Sequence, residues 1–537
     1  MNAEGEVLFR VEETDATSSE EPLARENAIA LRRCLLPYAS AFALGCLLLV
    51  PPAIVRPLQS SDEGRYAEVA RETFVYHHWL IPHNNGVPHL TKSPFYYDLV
   101  AISYSIFGTT PFALRMVSVL ASLFGLLFTM RWAARYGRRG AAVLCAAVSL
   151  TMVHPAGAGQ FGDLNTLLTF FLTVGLLLIF TGIESADNRA AWYLGWAFAG
   201  LAFLTKGPPA LFIPAGTLLL YRWISGRKLN KPAAWWGGGL LIFCLLGFSW
   251  YAWMLAKEGK ALWDFWKSDL VQRTSLRTGS RPVYDYLFYA PVFLAGSSGW
   301  GIYMVWRAWL AIRWRKRAGR CSWLRALARA IRSLPAPEQW LLAWLAVTLA
   351  AFAAMRATMM SYIQPAYPAA ALLLSLYFAR RYPGRMAKPF GRMATLAGFI
   401  TVAALWGVSF FQYGLVRRGD AEKALGSDTV EFNILARKMA AQPTSNWTLA
   451  QCRSYQPLFC FLTRRMAMLC ETQVHTAWPS PPDLSLTAEE LRRRMASKEP
   501  MMVLIKREKI KEFFPLPIPG MRVLVQGPTL LVVSNLP

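Results

Sequence analysis

Between residues 34 and 415 the chain returns repeatedly to apolar runs about as long as a bilayer is thick. The first, CLLPYASAFALGCLLLVPPAIV from Cys34 to Val55, is long enough to cross the hydrocarbon core as a helix. Others follow near 111–131, 139–154, 163–184, 191–205, 207–222, 233–255, 286–306, 337–355, 362–379 and 393–415. With no water to satisfy the backbone inside a membrane, such runs must fold as helices. The pattern predicts a polytopic α-helical membrane protein with about 11–13 transmembrane helices. A further run, Tyr96–Phe107, is too short to span and reads as an interfacial or re-entrant helix.

Charge patterning supports this reading. The chain is 54% hydrophobic and only 17% charged, less charge than a soluble protein of its length carries. Its net charge of +25 does not point to nucleic acid, because the basic residues cluster between apolar runs. The clusters are Arg25, Arg32 and Arg33; Arg131, Arg135, Arg138 and Arg139; Arg189; Arg222, Arg227, Lys228 and Lys231; Arg313–Arg332; and Ala379–Arg392. All fall on one side of the span list, which the positive-inside rule makes the cytoplasm. The expected location is therefore the inner (plasma) membrane, multi-pass, with a cytoplasmic N-terminus. Residues 1–33 are expected to be a disordered cytoplasmic tail, residues 34–415 the membrane domain, and residues 416–537 an extracytoplasmic, periplasmic-side domain. In that last domain SDTVEFNILARKMAAQ and TAEELRRRMAS read as helices. TLAQC, MMVLI, RVLVQ and LLVVS read as strands, which makes a small α/β domain.

The segments assigned to the other side carry the chemistry. SSDEGRYAEVAR, Ser60–Arg71, opens the long outer loop 56–110. Tyr66, Val69, Ala70 and Phe74 share one stripe, and Glu68 can pair with Arg71 on the polar face. This predicts an amphipathic helix on the membrane surface with Asp62 at its N-terminus, either as a plain cap or as a functional acid. Glu63 has no role beyond adjacency to Asp62. Asp163, where the chain enters a span, has the same two readings. Lys92 and Lys206 either snorkel or meet a lipid phosphate. Arg356 and Tyr362 fall on the same face. His77, His78, His83 and His89 lie close together but match no HxxxH or HExxH spacing, so an interfacial loop is preferred to a metal site. Cys452, Cys460 and Cys470 allow one disulfide if their domain lies in an oxidising compartment. Acids and cations gathered from separate loops suit group transfer from a phosphate leaving group. The acid takes a proton from the acceptor, and the cations stabilise the departing charge.

SSDEGRYAEVAR, followed by HWLIPHNNGVPHLTKSPFYY, FGTTPFALRM, GDLNTLLTFFLT, FLTKGPPALFIP and SYIQPAYPAAALLL, resembles the lipid A 4-amino-4-deoxy-L-arabinose transferase family. More distantly it resembles the protein O-mannosyltransferases. The resemblance implies a GT-C glycosyltransferase that takes a sugar from a polyprenyl-phosphate donor such as undecaprenyl phosphate. The acceptor would be lipid A-like, another glycan or a protein. It implies catalytic roles for Asp62 and Asp163. It implies substrate contacts for Arg65, Tyr66, Lys92, Lys206, Arg273 (in a Gln272–Arg273 pair), Arg356 and Tyr362. Departures are informative. Thr91 stands where the family often has a glutamate implicated in metal binding, and Asp269–Val271 lack an expected loop histidine. No metal site and no other cofactor is therefore assigned. Thr358 replaces a second family lysine, which leaves the acceptor open. The rival expectations are a polyprenyl-lipid transporter or flippase and a structural subunit.

Overall fold

The computed structural model describes residues 17–59, 62–185, 187–274, 287–317, 323–355, 359–381, 388–418, 428–440, 447–472, 474, 480–497, 499–515 and 520–535. Arg356 and Thr358 lie outside the described residues, as do residues 1–16 of the tail expected to be disordered at 1–33. The side chains of Gln272 and Arg273 lie outside them too. Residues 17–33 depart from the expected disorder, because they belong to the helix Thr17–Val55 that continues into the first span.

Each of the eleven expected spans falls largely on helix, but the one expected at 286–306 is broken at Ser297–Gly299 into the helices Tyr289–Gly296 and Trp300–Arg317. By length and composition five described helices can each cross a membrane: Leu35–Val55, Pro111–Leu150, Leu164–Glu184, Ala336–Ala354 and Leu396–Arg418. The pair Ala233–Gly247 and Ser249–Val271, bent by 53°, makes a sixth. The helices Arg189–Lys206, Pro209–Ser225 and Ala366–Arg381 are shorter. The Pro111–Leu150 helix is interrupted at Gly137 and Arg138, where Arg138 takes φ 63°. A Cβ on Gly45 would meet both Leu123 and Leu150. Those two leucines would stand roughly 40 Å apart along one continuous helix. The chain therefore turns back at Gly137–Arg138, and the two spans expected there form a hairpin.

A second hairpin positions the site. Leu164–Glu184 and Arg189–Lys206 run side by side in close backbone approach. A Cβ on Gly195 would sit 2.8 Å from the Ile179 backbone nitrogen, and one on Gly175 would sit 3.1 Å from the Gly195 carbonyl oxygen. Small residues let membrane helices pack this closely. The result is that Asp163, before the first helix, and Lys206, ending the second, emerge at the same end of the bundle.

At that end lie the helices Asp62–Tyr76 and Phe95–Phe107, with a two-stranded turn between them, β1 His83–Asn84 and β2 Val87–Pro88. Trp250 and Trp266 donate their indole N–H groups to the Leu80 and Leu90 carbonyls at 2.8 and 2.7 Å. The Ser249–Thr274 helix thereby clamps this loop. The helix at 62–76 differs from expectation. Its polar face is not solvated, because Glu68, Arg71 and Glu72 are buried along with Tyr66, Val69 and Ala70. Glu68 and Arg71 do pair, through two hydrogen bonds of 2.7 Å. Glu72 accepts from the Asn85 and Gly86 backbone N–H groups and so holds the β1–β2 turn.

The cover over this helix is the C-terminal α/β unit. Its six strands run in the order β5-β4-β3-β6-β8-β7: β3 Thr448–Cys452, β4 Ala467–Cys470, β5 Ser485–Leu486, β6 Met501–Lys506, β7 Arg522–Gln526 and β8 Leu530–Ser534. The helix Pro457–Thr463 packs on 62–76, so a Cβ on Gly64 would lie 2.7 Å from the Leu458 Cβ. Asn85 exchanges two 2.8 Å hydrogen bonds with the Ala467 backbone, and Tyr455 donates to Asn84 at 2.7 Å. Cys452 and Cys470 face each other in register on β3 and β4 as free thiols.

Candidate active site

Asp62 opens its helix and ion-pairs with Arg65, one turn on. The Arg65 guanidinium also lies 5.6 Å from the Tyr66 ring centroid. Tyr66 in turn packs against Tyr96 and Tyr97, with centroids 5.5 and 6.0 Å apart. The Tyr96 and Tyr97 hydroxyls are buried without a hydrogen-bond partner among the described residues.

Asp163 is the N-cap of Leu164–Glu184. Its Oδ1 accepts from the Asn165 backbone N–H at 3.0 Å and from the Asn165 amide at 2.8 Å. Asn165 also donates to the Ser361 hydroxyl at 3.1 Å and accepts from the Lys206 ammonium. The ammonium lies 4.1 Å from the centroid of the Tyr362 ring, within cation–π range. Burial pushes the Asp163 carboxyl up to about 6. The Asn165 N–H and the Lys206 charge oppose that shift, and Asp62 adds to it. A carboxyl near neutrality is suited to take and return a proton.

The two acids share one cavity of about 480 Å³, lined also by His154, Met359 and Ser361. Six expected site residues are therefore connected: Asp62 with Arg65 and Tyr66, and Asp163 with Lys206 and Tyr362. Lys92 lies in the loop between Thr91 and Ser93, and Ser93 donates its hydroxyl to the Leu204 carbonyl, two residues before Lys206. That bond brings the two lysine-bearing segments together. The helix bearing Arg273 is the one that clamps this loop.

Glu63 is the residue whose importance sequence reasoning missed. It is 3% exposed. Its carboxylate accepts from Arg115 at 2.7 and 3.1 Å, from Arg56 at 3.3 Å, and from the backbone N–H groups of Gln59 and Gly162, each at 2.9 Å. Arg115 spends its remaining donors on the carbonyls of Ala53, Arg56 and Pro57. Burial alone raises the Glu63 carboxyl, but the Arg115 and Arg56 guanidiniums reverse it and hold the group at about 2. Among the described residues no group of three or more His, Cys, Asp or Glu side chains converges as metal ligands. In the histidine loop the His78 and His83 ring centroids lie 3.9 Å apart with the rings tilted by 38°, and His89 Nε2 meets the Thr91 hydroxyl at 3.0 Å.

Comparison with known proteins gives the same frame. The family described as dolichyl-phosphate-mannose-protein mannosyltransferase matches residues 91–253, a stretch that holds Lys92, Asp163 and Lys206. Among curated proteins, the undecaprenyl phosphate-alpha-4-amino-4-deoxy-L-arabinose arabinosyl transferase of Erwinia tasmaniensis is 27% identical over 389 residues, covering 69% of this chain and 66% of that protein. The corresponding transferases of Pectobacterium carotovorum and Sodalis glossinidius are 26% and 28% identical, covering 63% and 62% of this chain and 58% and 57% of theirs. The chain thus matches less than two thirds of the length of these relatives. Among solved structures, ArnT from Cupriavidus metallidurans bound to undecaprenyl phosphate superposes with a TM-score of 0.70 at 20% identity, over 94% of this chain and 98% of that one. That likeness is one of fold.

Proposed function

We propose that this chain, similar in sequence to the aminoarabinose transferases and protein mannosyltransferases and in fold to ArnT, is a GT-C glycosyltransferase drawing its sugar from a polyprenyl-phosphate donor. The observation that carries the reading is the cavity shared by Asp62 and Asp163, with Lys206 tied to Asp163 through Asn165. The proposed site faces the extracytoplasmic side, the orientation that the loop charges support. Residues 416–537 lie on that side too, above the membrane domain 34–415. An enzyme on that face cannot draw on cytoplasmic nucleotide sugars, so a lipid-borne, already activated donor fits.

In the proposed mechanism the acceptor hydroxyl enters the shared cavity and attacks the anomeric carbon of the donor, with inversion. Asp62, held by Arg65, positions or deprotonates the acceptor. Asp163 orients acceptor or sugar and can hold the proton. As the bond to the phosphate oxygen breaks, Lys206, Lys92 and Arg356 stabilise the charge on the departing polyprenyl phosphate. Arg65, Tyr66, Arg273 and Tyr362 complete the substrate contacts. The acceptor is lipid A-like, another glycan or a protein. Nothing in the geometry or the comparisons favours a transporter.

Mass spectrometry of the host's envelope lipids and glycans, with the gene present and deleted, tests the reading. A single sugar missing from one lipid, glycan or protein class on deletion supports it. Unchanged modification of all three classes overturns it.

A further inference from the structure

The C-terminal unit contains a second cavity, of about 530 Å³, within the size range of small-molecule sites. Its position follows from the sheet topology. β3 pairs in parallel with β4 on one side and β6 on the other. The connection from β3 to β4 carries the helix Pro457–Thr463, whose Leu458 and Phe459 share a core with Leu449, Leu469 and Leu504. The connection from β5 to β6 carries the helix Ala488–Met495, whose Leu491 and Met495 share a core with Ala450, Met468 and Val503. Alternate residues of the same strands thus face different helices, so the helices cover opposite faces and the winding reverses between β3 and β6. In open α/β sheets ligands bind outside the carboxyl ends of the strands at such a reversal. The cavity lies there, lined by Ser454 and Gln456 after β3, by Lys506, Arg507 and Glu508 at the end of β6, and by Thr529.

The lining is chemically specific. Lys506, Arg507 and Glu508 are exposed and make no ion pair with the described residues, so two cations and one carboxylate stand at the cavity mouth, with the Arg507 guanidinium donating to the Gln526 side-chain oxygen at 3.3 Å. The polar groups behind them are fixed. Gln456 donates to the Ser454 hydroxyl at 2.8 Å, and Thr529 donates to Glu431 at 2.6 Å. Phe432 and Leu530 add apolar wall. Two cations suit a phosphate, and the Gln456 amide with the Ser454 and Thr529 hydroxyls suits the hydroxyls of a sugar.

The cavity is also next to the membrane site. Asn433, beside Phe432, donates to the Leu58 carbonyl at 2.9 Å, four residues before Asp62. Leu458, two residues after Gln456, touches Gly64, two residues after Asp62.

We propose that this crevice binds a phosphate-bearing saccharide, the head group of the acceptor that the Asp62–Asp163 cavity glycosylates. The acceptor role rests on the transferase reading, whereas binding at the crevice does not. The test uses the full chain in nanodiscs and titrates three soluble probes by calorimetry: a singly phosphorylated hexosamine disaccharide, the same disaccharide without phosphate, and inorganic phosphate. Donor turnover is measured in parallel. The phosphorylated disaccharide is expected to bind at least tenfold more tightly than either other probe. Lys506→Ala with Arg507→Ala removes most of that affinity, while Gln456→Ala lowers the preference over inorganic phosphate. Inorganic phosphate binding as tightly as the disaccharide phosphate would mean an adventitious ion only and would overturn the proposal. So would full affinity in the Lys506→Ala, Arg507→Ala chain, even with normal donor turnover, and that result would leave the transferase reading intact. Crevice binding in a chain that never consumes donor would instead overturn the transferase reading and keep the site.

Discussion

The Glu63 carboxylate accepts a 2.9 Å hydrogen bond from the Gly162 N–H, joining the residue after Asp62 to the residue before Asp163. The two acids of the shared cavity come from segments about 100 residues apart, and this contact, braced by Arg115 and Arg56, fixes their separation. Removing one partner of a buried ion pair costs about 3–5 kcal/mol, so Glu63→Gln is expected to lower the unfolding temperature sharply and to abolish activity. The pH dependence has a definite sign. The carboxyl sits at about 2 in the folded chain against 4.5 in its unperturbed form. Its stabilisation is therefore full above pH 4.5 and fades as the pH falls toward 2. Thermal unfolding of detergent-solubilised protein across that range checks this, and a wild-type curve no steeper than that of Glu63→Gln would contradict it.

Asp163, raised to about 6, is charged only above that pH. Transfer is expected to rise as the pH passes through about 6 and to level off beyond it. Asp163→Asn should remove that limb and reduce turnover by about 10²–10⁴, the usual worth of a positioned acid or base. Initial rates from pH 5 to pH 8 decide it.

Lys206 is held by Asn165 and by the face of Tyr362. Lys206→Ala is expected to slow transfer by about 10²–10³ through loss of charge stabilisation at the leaving phosphate. Tyr362→Phe keeps the ring and with it the cation–π contact. Tyr362→Leu removes a contact worth roughly 0.5–2 kcal/mol and should raise the donor KM several-fold. Steady-state kinetics with a labelled polyprenyl-phosphate sugar separate these outcomes.

Gly64 tests the docking of the C-terminal unit. A Cβ there would lie 2.7 Å from the Leu458 Cβ and 3.1 Å from its Cα, so the neighbouring backbone must move. Gly64→Val is expected to loosen the C-terminal unit from the Asp62–Tyr76 helix. Faster release of a C-terminal fragment on limited proteolysis is the readout.

The membrane helices are legible because burial in lipid writes itself into long apolar runs, and the strands β3, β6, β7 and β8 because each is a short apolar, mostly β-branched or aliphatic run. Asp62 and Asp163 were legible as acids at helix starts, and their two candidate roles were stated from sequence. Glu63 was not, because its partners Arg115 and Gly162 lie 52 and 99 residues away and no local pattern encodes them. The surface reading of 62–76 failed for a related reason. Its polar face is covered by the Pro457–Thr463 helix, some 390 residues on in sequence, and a buried Glu68–Arg71 pair has the same spacing as a solvated one. The short strand Ala467–Cys470 and the crevice at the end of β6 left no periodic signal either.

The central claim is that the Asp62–Asp163 cavity transfers sugar from a polyprenyl-phosphate donor. Its most direct test is turnover of a labelled polyprenyl-phosphate sugar by purified protein in liposomes with acceptor lipid, comparing the wild-type chain with Asp62→Asn at equal protein level and equal unfolding temperature. The account predicts labelled product and free polyprenyl phosphate from the wild-type chain and at least a hundredfold less from the variant. Label moving across the bilayer unchanged, or Asp62→Asn turning over at the wild-type rate, would contradict it.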